Sequence, residues 1–289
     1  MPQESYITAG RILDEFGVQP TEDRDWDMEI TKRVTFLCET LQSAGRSTLV
    51  LGISGGVDSL VAGKLCQLAA DRMKTIDPEA RFIAVRLPYG EQADEDAAQA
   101  ALQFIGPDRI MTVDIKPSVD ALHAAVVVND SEISMERADF ERGNVKARVR
   151  MTAQYEIAAL NNGLVVGTDH NAEAVTGFFT KWGDGACDLL PMRGLSKRQV
   201  RRLASELGAS HEMADKPATA DLECLRPQLA DEDVLGFSYD VIDDFLEFKG
   251  GSDDQVRKLV AQYEKTQHKR CDPLAVMGAF KPADRQKEF

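Results

Sequence analysis

The chain has 289 residues, 43% of them hydrophobic, and carries a formal net charge of −14 at pH 7. That length suits one large α/β domain, or one domain with an appendage, and the hydrophobic fraction is sufficient for a packed core. The acidic balance argues against a nucleic-acid-binding protein, which needs a basic surface, although it allows a local basic pocket.

The sequence shows no sign of export or membrane insertion. The N-terminal segment MPQES has neither the basic nor the apolar region of a signal peptide, and no apolar run approaches membrane-spanning length. The five cysteines are scattered and lack the C-x-x-C spacing of a zinc site. We therefore expect a cytoplasmic protein with reduced thiols, in which Cys38 and Cys66 are small core residues on apolar helix faces.

Strands and helices are predicted to alternate along the chain. Buried strands are predicted at 49–53, 81–87, 109–115 and 163–167. Helices are predicted at 21–45, from 58 to about 72, at 94–104 and over most of 119–161. This alternation indicates a parallel sheet covered on both faces, in which ligands bind beyond the carboxyl ends of the strands. The acidic segment 231–248 is predicted to be a solvated amphipathic helix with its charges on the outer face.

The most informative stretch is the turn after the first strand, in the segment TLVLGISGGVDS at 48–59. Its apolar run stops at Ser54, and the glycines that follow open a helix whose backbone N–H groups favour an anion such as phosphate. Asp58 would repel phosphate unless a divalent cation lay between them. The turn lacks the Lys of a Walker A loop. A glycine turn that serves packing alone is the alternative.

Two polar clusters could bind a ligand, but a structural role would explain each of them equally simply. Arg86 ends the second strand, where it could contact a nucleotide or form a salt bridge with the adjacent acidic helix. Asn144 and Arg148 are spaced i, i+4 and share one helix face. They could hold a carboxylate while Phe140 stacks on a flat ring. A solvated basic helix face would show the same pattern.

The segment GTDHNAEAVTGFFTK at 167–181 is more specific. The strand end releases Thr168 and His170 into the predicted crevice, and Glu173 begins a helix from which it could join Asp58 in holding Mg²⁺. His170 could be a general base. Because no second His or Cys lies nearby, we expect a hydrogen-bonded structural role for it instead.

Three later segments are polar where a loop or a helix end is predicted. Ser196 suits an N-cap, and Lys197 in the first turn of that helix is unfavourable for the helix dipole unless an anion binds. Thr219 lies in a proline-interrupted loop. His268 and Lys269 form a basic pair near the C-terminus, which taken alone would be a solvated tip.

In this order, the motifs resemble those of the ammonia-dependent NAD synthetases, from the helix after Thr21 to His268. The segments that carry the resemblance are LGISGGVDS, FIAVRLPYG, GNVKARVRMTAQY, VVGTDHNAEAVTGFFTKWGDG, ATADL and HKR. The first is shared by ATP pyrophosphatases in general, and the fourth narrows the choice to this family. The resemblance implies a Rossmann-like α/β fold, with a parallel sheet, helices on both faces and extra helices at both termini. It implies a single domain over 1–289, with an ATP pyrophosphatase core at about 46–230 and a C-terminal helical segment at 231–289.

The resemblance also implies a homodimeric ligase that converts deamido-NAD, ATP and ammonia to NAD, AMP and pyrophosphate through an adenylated intermediate, with Mg²⁺ as cofactor. The residues that match ATP-contacting positions are Gly52, Ile53, Ser54, Gly55, Gly56, Val57, Asp58, Ser59, Arg86, Thr168, Lys197 and Thr219. Those that match deamido-NAD-binding positions, in a site built across the dimer interface, are Phe140, Asn144, Arg148, Lys181, Asp184, Asp188, His268 and Lys269. Asp58 and Glu173 match the metal ligands, and with Lys197 and Asp184 they form the expected catalytic set.

Other predictions compete with this one. The nearest is another ATP pyrophosphatase, such as a tRNA-thiolating enzyme or the synthetase half of GMP synthetase, although thiolating enzymes need catalytic cysteines and a basic RNA surface. A non-catalytic adenine-nucleotide-binding module would not need two metal-binding carboxylates. A glutamine-hydrolysing enzyme needs a further domain with its own Cys nucleophile, for which 289 residues leave no room. The expected nitrogen source is therefore free ammonia, or a separate subunit that supplies it.

Overall fold

A four-stranded parallel sheet forms the centre of the computed structural model, which describes residues 2–90, 95–127, 132–220, 222–226 and 229–273. The strands are β1 (Thr48–Gly52), β2 (Arg81–Arg86), β3 (Arg109–Thr112) and β4 (Gly163–Val165). They lie in the order β3-β2-β1-β4, so β1 is paired on both sides, Thr48 lying opposite Arg81 of β2 and Gly163 of β4. A small antiparallel pair consists of β5 (Thr219–Ala220) and β6 (Leu229–Ala230).

Helices connect the strands and extend the chain at both ends. They are α1 (Pro2–Phe16), α2 (Trp26–Ser43), α3 (Val57–Met73), α4 (Glu95–Ile105), α5 (Lys116–Val127), α6 (Met135–Leu160), α7 (Asn171–Thr176), α8 (Lys197–Glu206), α9 (His211–Ala214), α10 (Asp231–Leu235), α11 (Tyr239–Leu246) and α12 (Asp253–Lys265). Short 3-10 turns lie at Thr21–Asp23 and Gln267–Lys269. Within the ranges described, none of the helices combines the length and apolar composition needed to cross a membrane.

The two faces of the sheet bury alternate residues of β1 and β2, as the pleat requires. Leu49 of β1 and Phe82 of β2 pack with α2, α3 and α8 on one face. Val50 and Ile83, their neighbours in sequence, pack with α5 and α6 on the other. Strands buried on both faces are typical of a doubly covered parallel sheet. The predicted α/β fold with helices on both faces is confirmed.

A third apolar cluster holds the terminal helices together. It joins Ile12 of α1 and Val175 of α7 to Ile242 of α11 and Leu259 of α12. The extra helices at both termini are therefore present, and α1, α11 and α12 pack against α7. This packing matters because α7 carries Glu173.

β4 is shorter than its apolar run predicts. It ends at Val165, not at Gly167, because the chain turns there toward Leu189, with which Val166 forms an isolated parallel bridge. β3 is also shorter than predicted, and the predicted long helical segment consists of two helices, α5 and α6. The early end of β4 places the residues before α7 in a loop at the carboxyl edge of the sheet.

The apolar face of the amphipathic helix predicted at 231–248 is confirmed, but the prediction of one helix with all of its charges on the outer face is wrong. The segment contains two helices, α10 and α11, and the carboxylates of Asp243 and Glu247 are buried. Asp243 accepts hydrogen bonds from the backbone N–H groups of Lys197 (3.0 Å) and Arg198 (2.7 Å) at the start of α8. Glu247 accepts a hydrogen bond from the Ser196 hydroxyl at 2.9 Å. These acidic side chains cap a distant helix, and so they fix the position of Lys197.

Candidate active site

The glycine turn between β1 and α3 is held by contacts among its own residues. Gly55 has φ +90°, and a Cβ there would lie 2.8 Å from the backbone nitrogen of Ala98 on α4, so only glycine fits without strain. Ser59 Oγ donates to the carbonyl of Gly56 at 3.0 Å and lies 3.2 Å from Ser54 Oγ. The turn thus presents the first N–H groups of α3, together with two hydroxyls, at the carboxyl end of the central strand.

Asp58 and Glu173 are brought together beside this turn. Asp58 lies in the first turn of α3, and Glu173 lies in α7, which follows β4. Because β1 and β4 are parallel neighbours, their carboxyl ends lie side by side at the same edge of the sheet. His170 lies between the two carboxylates, with its Nε2 3.5 Å from Asp58 Oδ1 and 3.6 Å from Glu173 Oε2. The three side chains offer ligand atoms that all lie within 4.8 Å of one another.

The buried ammonium of Lys197 completes this cluster. Its Nζ donates to Asp58 Oδ2 at 2.7 Å and lies 5.0 Å from the centre of the Tyr239 ring. Burial tends to lower the pKa of Lys197, but Asp58 and Glu173 outweigh it and hold that pKa above its usual value. Burial tends to raise the pKa of Asp58, yet Lys197 holds it below the usual range. The contact is therefore an ion pair between charged groups.

The ionised forms of the remaining acidic groups, Glu173 and Asp169, are unfavourable in this cluster. Burial and the charge of Asp58 raise the pKa of Glu173 well above its usual value. Burial and the charge of Asp184 raise the pKa of Asp169 to about 7. A cation at this place would offset the repulsion among these carboxylates.

The cluster fits a divalent cation. Asp58 Oδ1 and both ring nitrogens of His170 are buried without a hydrogen-bond partner among the described residues. Burial lowers the pKa of His170 to about 3, so its ring is neutral. Two carboxylates suit Mg²⁺, which prefers oxygen ligands. The expected hydrogen-bonded structural role of His170 is wrong, since within the part of the chain that the structure describes its nitrogens bond to nothing.

Arg86 forms the salt bridge that was the alternative to a nucleotide contact. Its guanidinium is buried and donates to both carboxylate oxygens of Glu95 on α4, at 2.7 and 2.5 Å. A contact with ATP remains a prediction. Thr168 is partly buried in the loop after β4. Thr219 begins β5, and its side chain lies outside the described residues.

A second cluster joins α6 to the loop at 177–185. The Thr180 hydroxyl donates to Asn144 Oδ1 at 2.9 Å, and the Thr180 N–H donates to Asp184 Oδ1 at 2.9 Å. Arg148 donates to the carbonyl of Lys181 at 3.4 Å. Asp184 also links this cluster to the carboxylates described above, because its charge contributes to the raised pKa of Glu173.

The C-terminal basic pair is docked on the same loop. Lys181 Nζ donates to the carbonyl of His268 at 2.6 Å. Lys269 Nζ donates to the carbonyls of Gly177 (2.8 Å) and Phe179 (2.7 Å). The Lys269 side chain is therefore docked on the loop, whereas His268 is exposed and contributes its backbone carbonyl. Most of the residues matched to the dinucleotide therefore lie around one loop.

Comparison with known proteins identifies the family. A model of the NAD synthase family matches residues 29–281. The chain belongs to the NAD synthase family. It is 55% identical over 266 residues to the NH(3)-dependent NAD(+) synthetase of Pseudoalteromonas translucida, covering 90% of this chain and 95% of that protein.

Two solved structures show the same fold. The crystal structure of NAD+ synthetase from Burkholderia pseudomallei has 46% sequence identity and a TM-score of 0.78, covering 92% of this chain and 98% of the other. NMN synthetase from Francisella tularensis has 30% identity and a TM-score of 0.74, covering 89% of this chain and 100% of the other. The match to the NAD synthase family confirms the resemblance seen in the sequence motifs. It does not favour a tRNA-thiolating enzyme or a GMP synthetase.

Two residues matched to the NAD synthase dinucleotide site stand apart from the others. Phe140 is 45% exposed, and its ring centre lies 5.9 Å from the Arg137 guanidinium carbon. Asp188 accepts a hydrogen bond from the Val165 N–H at 2.7 Å and one from the Tyr155 hydroxyl at 3.3 Å. Asp188 thus binds the backbone at the end of β4. Its contact with a dinucleotide remains a prediction.

Two residues outside the predicted site, Tyr239 and Asp231, lie beneath the carboxylate cluster. The Tyr239 hydroxyl donates to Asp231 Oδ2 at 3.1 Å, and the ring packs edge-on against His170, with ring centres 6.2 Å apart. Both residues fell within the segment that was predicted to be a solvated helix. Tyr239, which is 2% exposed, lies on the apolar face that helical spacing predicts, whereas the burial of Asp231 at 6% exposure results from long-range packing that its local sequence does not indicate.

Proposed function

We propose that this member of the NAD synthase family amidates deamido-NAD with ammonia, using ATP, and releases NAD, AMP and pyrophosphate. The observation that carries the proposal is the position of Asp58 and Glu173 beside the glycine turn. A phosphate-binding turn combined with two metal-binding carboxylates suits attack at the phosphorus of ATP. The relative from Pseudoalteromonas translucida, which matches nearly along its whole length, is named for the same reaction.

ATP would bind at the carboxyl end of β1. The N–H groups of the first turn of α3 and the hydroxyls of Ser54 and Ser59 would hold its phosphates. Asp58 and Glu173 would hold Mg²⁺, which withdraws charge from phosphate oxygens when bound. Lys197, whose ammonium already faces this space, would neutralise charge on the departing pyrophosphate.

The nicotinate carboxylate of deamido-NAD is a poor acyl donor and must be activated. One of its oxygens would attack the α-phosphorus of ATP, and pyrophosphate would leave. Ammonia would then attack the carbonyl carbon of this mixed anhydride, and AMP would leave with the bridging oxygen. Positioning alone can supply about 7–11 kcal/mol of such a barrier. No covalent nucleophile is needed, and burial, which raises the pKa of Cys187 to about 12, keeps that thiol protonated.

The dinucleotide would bind around the loop at 177–185. Lys181 and Lys269 donate to backbone carbonyls there, and they would exchange some of these bonds for phosphate oxygens. Asn144 and Arg148 would hold the polar end of the ligand from α6. Burial raises the pKa of Asp184, which makes it a better proton acceptor than an ordinary carboxylate, and we assign to it the proton from ammonium.

We also propose a homodimer in which two subunits build each dinucleotide site. The exposed rings of Phe140 and Trp182, at 45% and 55% exposure, support this assignment. Phe140 lies on α6 and Trp182 lies in the loop at 177–185, and large exposed aromatic rings are typical of interfaces and of sites for flat ligands.

The proposal is tested by incubating the purified protein with Mg-ATP, ammonium and deamido-NAD and separating the nucleotides by chromatography. NAD and AMP should form in equal amounts, and glutamine should not replace ammonium. Formation of ADP instead of AMP would reject adenylation. Because a relative at 30% identity is an NMN synthetase, nicotinic acid mononucleotide should be compared as substrate. Faster turnover of the mononucleotide than of deamido-NAD would reassign the substrate.

A further inference from the structure

The side chain between the two proposed metal ligands is the imidazole of His170. His170 is fully buried, at 0% exposure, and it is the N-cap residue of α7. Both of its ring nitrogens lack a hydrogen-bond partner within the described ranges. A buried polar side chain without a partner is costly, and it calls for a ligand or a functional reason.

No hydrogen bond to the neighbouring carboxylates accounts for the position of His170. The separations of 3.5 Å to Asp58 Oδ1 and 3.6 Å to Glu173 Oε2 are longer than hydrogen bonds of this kind, which are about 2.7–3.2 Å. The edge-on contact with Tyr239 packs against the ring and favours this orientation.

The separations do match those of ligands that share one cation. Two ligand atoms bound at about 2.1–2.2 Å to the same ion lie about 3.0–3.6 Å apart in octahedral or tetrahedral geometry. We propose that His170 is a third protein ligand of the divalent cation, through Nε2, on one face with Asp58 and Glu173. The proposal rests on the metal site of the proposed function and adds a nitrogen donor to it.

A nitrogen donor changes which cation the site prefers. Imidazole suits later transition metals better than it suits Mg²⁺, and affinities of such sites rise from Mn²⁺ through Co²⁺. The site should therefore bind Mn²⁺ more tightly than Mg²⁺. Loss of His170 should reduce the ratio of the Mn²⁺ affinity to the Mg²⁺ affinity. Loss of groups that only orient ligands costs about 10–100-fold in affinity, so loss of a direct ligand should cost at least about 10-fold.

Pulsed electron paramagnetic resonance of Mn²⁺ tests the proposal directly. The full-length protein is loaded with MnCl₂ in the absence of ATP, which removes the adenine nitrogens as a source of signal. We expect bound Mn²⁺ to show ¹⁴N modulation, which becomes a ¹⁵N signal when the protein is labelled with [¹⁵N]histidine. The modulation should vanish in His170→Gln. It should persist in the control His211→Gln, which alters a histidine whose side chain is 94% exposed on α9.

The wild-type spectrum can by itself reject the proposal, so a folding defect in His170→Gln would not leave the proposal untested. Bound Mn²⁺ without nitrogen modulation would overturn the proposal, as would modulation that persists in His170→Gln, or failure to bind Mn²⁺ without ATP. Turnover of deamido-NAD on the same preparation separates the two proposals. NAD formation without nitrogen modulation rejects His170 as a ligand, whereas nitrogen modulation without NAD formation supports the ligand and rejects the proposed function.

Discussion

Lys197 Nζ lies 2.7 Å from Asp58 Oδ2, and this contact ties the first turn of α8 to the first turn of α3. Lys197 is held by Asp243, which accepts its backbone N–H at 3.0 Å from α11. The C-terminal helices therefore position a charge at the glycine turn, although they contribute no strand to the central sheet. The ion pair also keeps Asp58 ionised, the state in which a carboxylate binds a cation.

Replacement of the ammonium should impair both folding and turnover. In Lys197→Met the carboxylate of Asp58 loses its partner, which should destabilise the fold by up to about 3 kcal/mol. Loss of a charge that acts on the leaving group should lower kcat about 10²–10³-fold. The control is Lys64→Met on α3, where Nζ donates to the carbonyl of Phe104 at 3.0 Å. Steady-state kinetics and thermal melting measure both effects, and a Lys197→Met enzyme within about tenfold of wild type would contradict this role.

Glu173→Gln should abolish turnover and yet stabilise the protein when no metal is present. Burial and the negative charge of Asp58 raise the pKa of Glu173 well above its usual value, so desolvation and repulsion disfavour its ionised form in the folded protein. A neutral amide removes that repulsion. We expect Tm to rise by at least about 2 °C in the presence of a chelator, which corresponds to roughly 1 kcal/mol in a chain of this size. Added Mg²⁺ should raise Tm of the wild type more than that of the variant.

The matched control for this experiment is Glu156→Gln, at an exposed position on α6. It should change neither Tm nor its response to Mg²⁺. A Glu173→Gln protein that melts below the wild type in chelator would show that the carboxylate is a net stabilising group, contrary to our interpretation of the cluster.

The glycine turn should tolerate a methyl group at Gly56 but not at Gly55. In Gly55→Ala the new Cβ would lie 2.8 Å from the Ala98 nitrogen at φ +90°, so the turn must distort. The expected cost is about 1–3 kcal/mol in stability. In Gly56→Ala the Cβ would meet only Ser54 Oγ, at 3.5 Å, and stability should be unchanged. Equal melting temperatures of the two variants would refute this description of the turn.

Stability of the metal-free protein should depend on Asp169 in a defined pH window. Its folded pKa of about 7 exceeds the usual value of about 4. Between those values the folded state holds a proton that the unfolded chain has lost, so the contribution of this group to stability falls as pH rises and is lowest above pH 7. Asp169→Asn should therefore raise Tm more at pH 8 than at pH 5. Exposed Asp14→Asn on α1 is the control, and an equal gain at both pH values would contradict the assignment.

If two subunits build each dinucleotide site, inactive variants should complement one another. Asp58→Asn removes a metal ligand, and Phe140→Ala removes an exposed ring that we place at the interface. In a mixed dimer one of the two sites would hold both wild-type side chains, so a randomly reassembled mixture should recover about a quarter of wild-type activity. Light scattering establishes the oligomeric state. A dimer that shows no recovery would place both residues of each site on one subunit.

The local part of the site was predictable from the sequence, and the part made by distant contacts was not. The turn around Ser54 and Gly55 follows from an apolar strand, glycines and a helix start. The meeting of Asp58 with Glu173 follows from topology, since both lie after parallel strands. The contact of Asp58 with Lys197 depends on how α8 packs, and no spacing in the sequence specifies it.

The burial of charged residues in the acidic segment 231–248 could not be predicted from the sequence either. Composition predicted exposed charges at 231–248, because charged residues on a helix usually face water. Asp243 and Glu247 are instead buried, since the N–H groups at the start of α8 and the hydroxyls of Thr21 and Ser196 satisfy them. A buried carboxylate of this kind is compensated by donors that lie far away in sequence, and only the folded chain brings them together.

Transfer of oxygen from deamido-NAD to AMP tests the central claim most directly. The nicotinate carboxylate is labelled with ¹⁸O in both oxygens, and the protein is given Mg-ATP and ammonium. We expect mass spectrometry to find one ¹⁸O in the phosphate of AMP and one in the amide of NAD, because the attacking oxygen leaves with AMP. AMP without the label, or a label found in pyrophosphate, would contradict adenylation of deamido-NAD at the site formed by Asp58, Glu173 and Lys197.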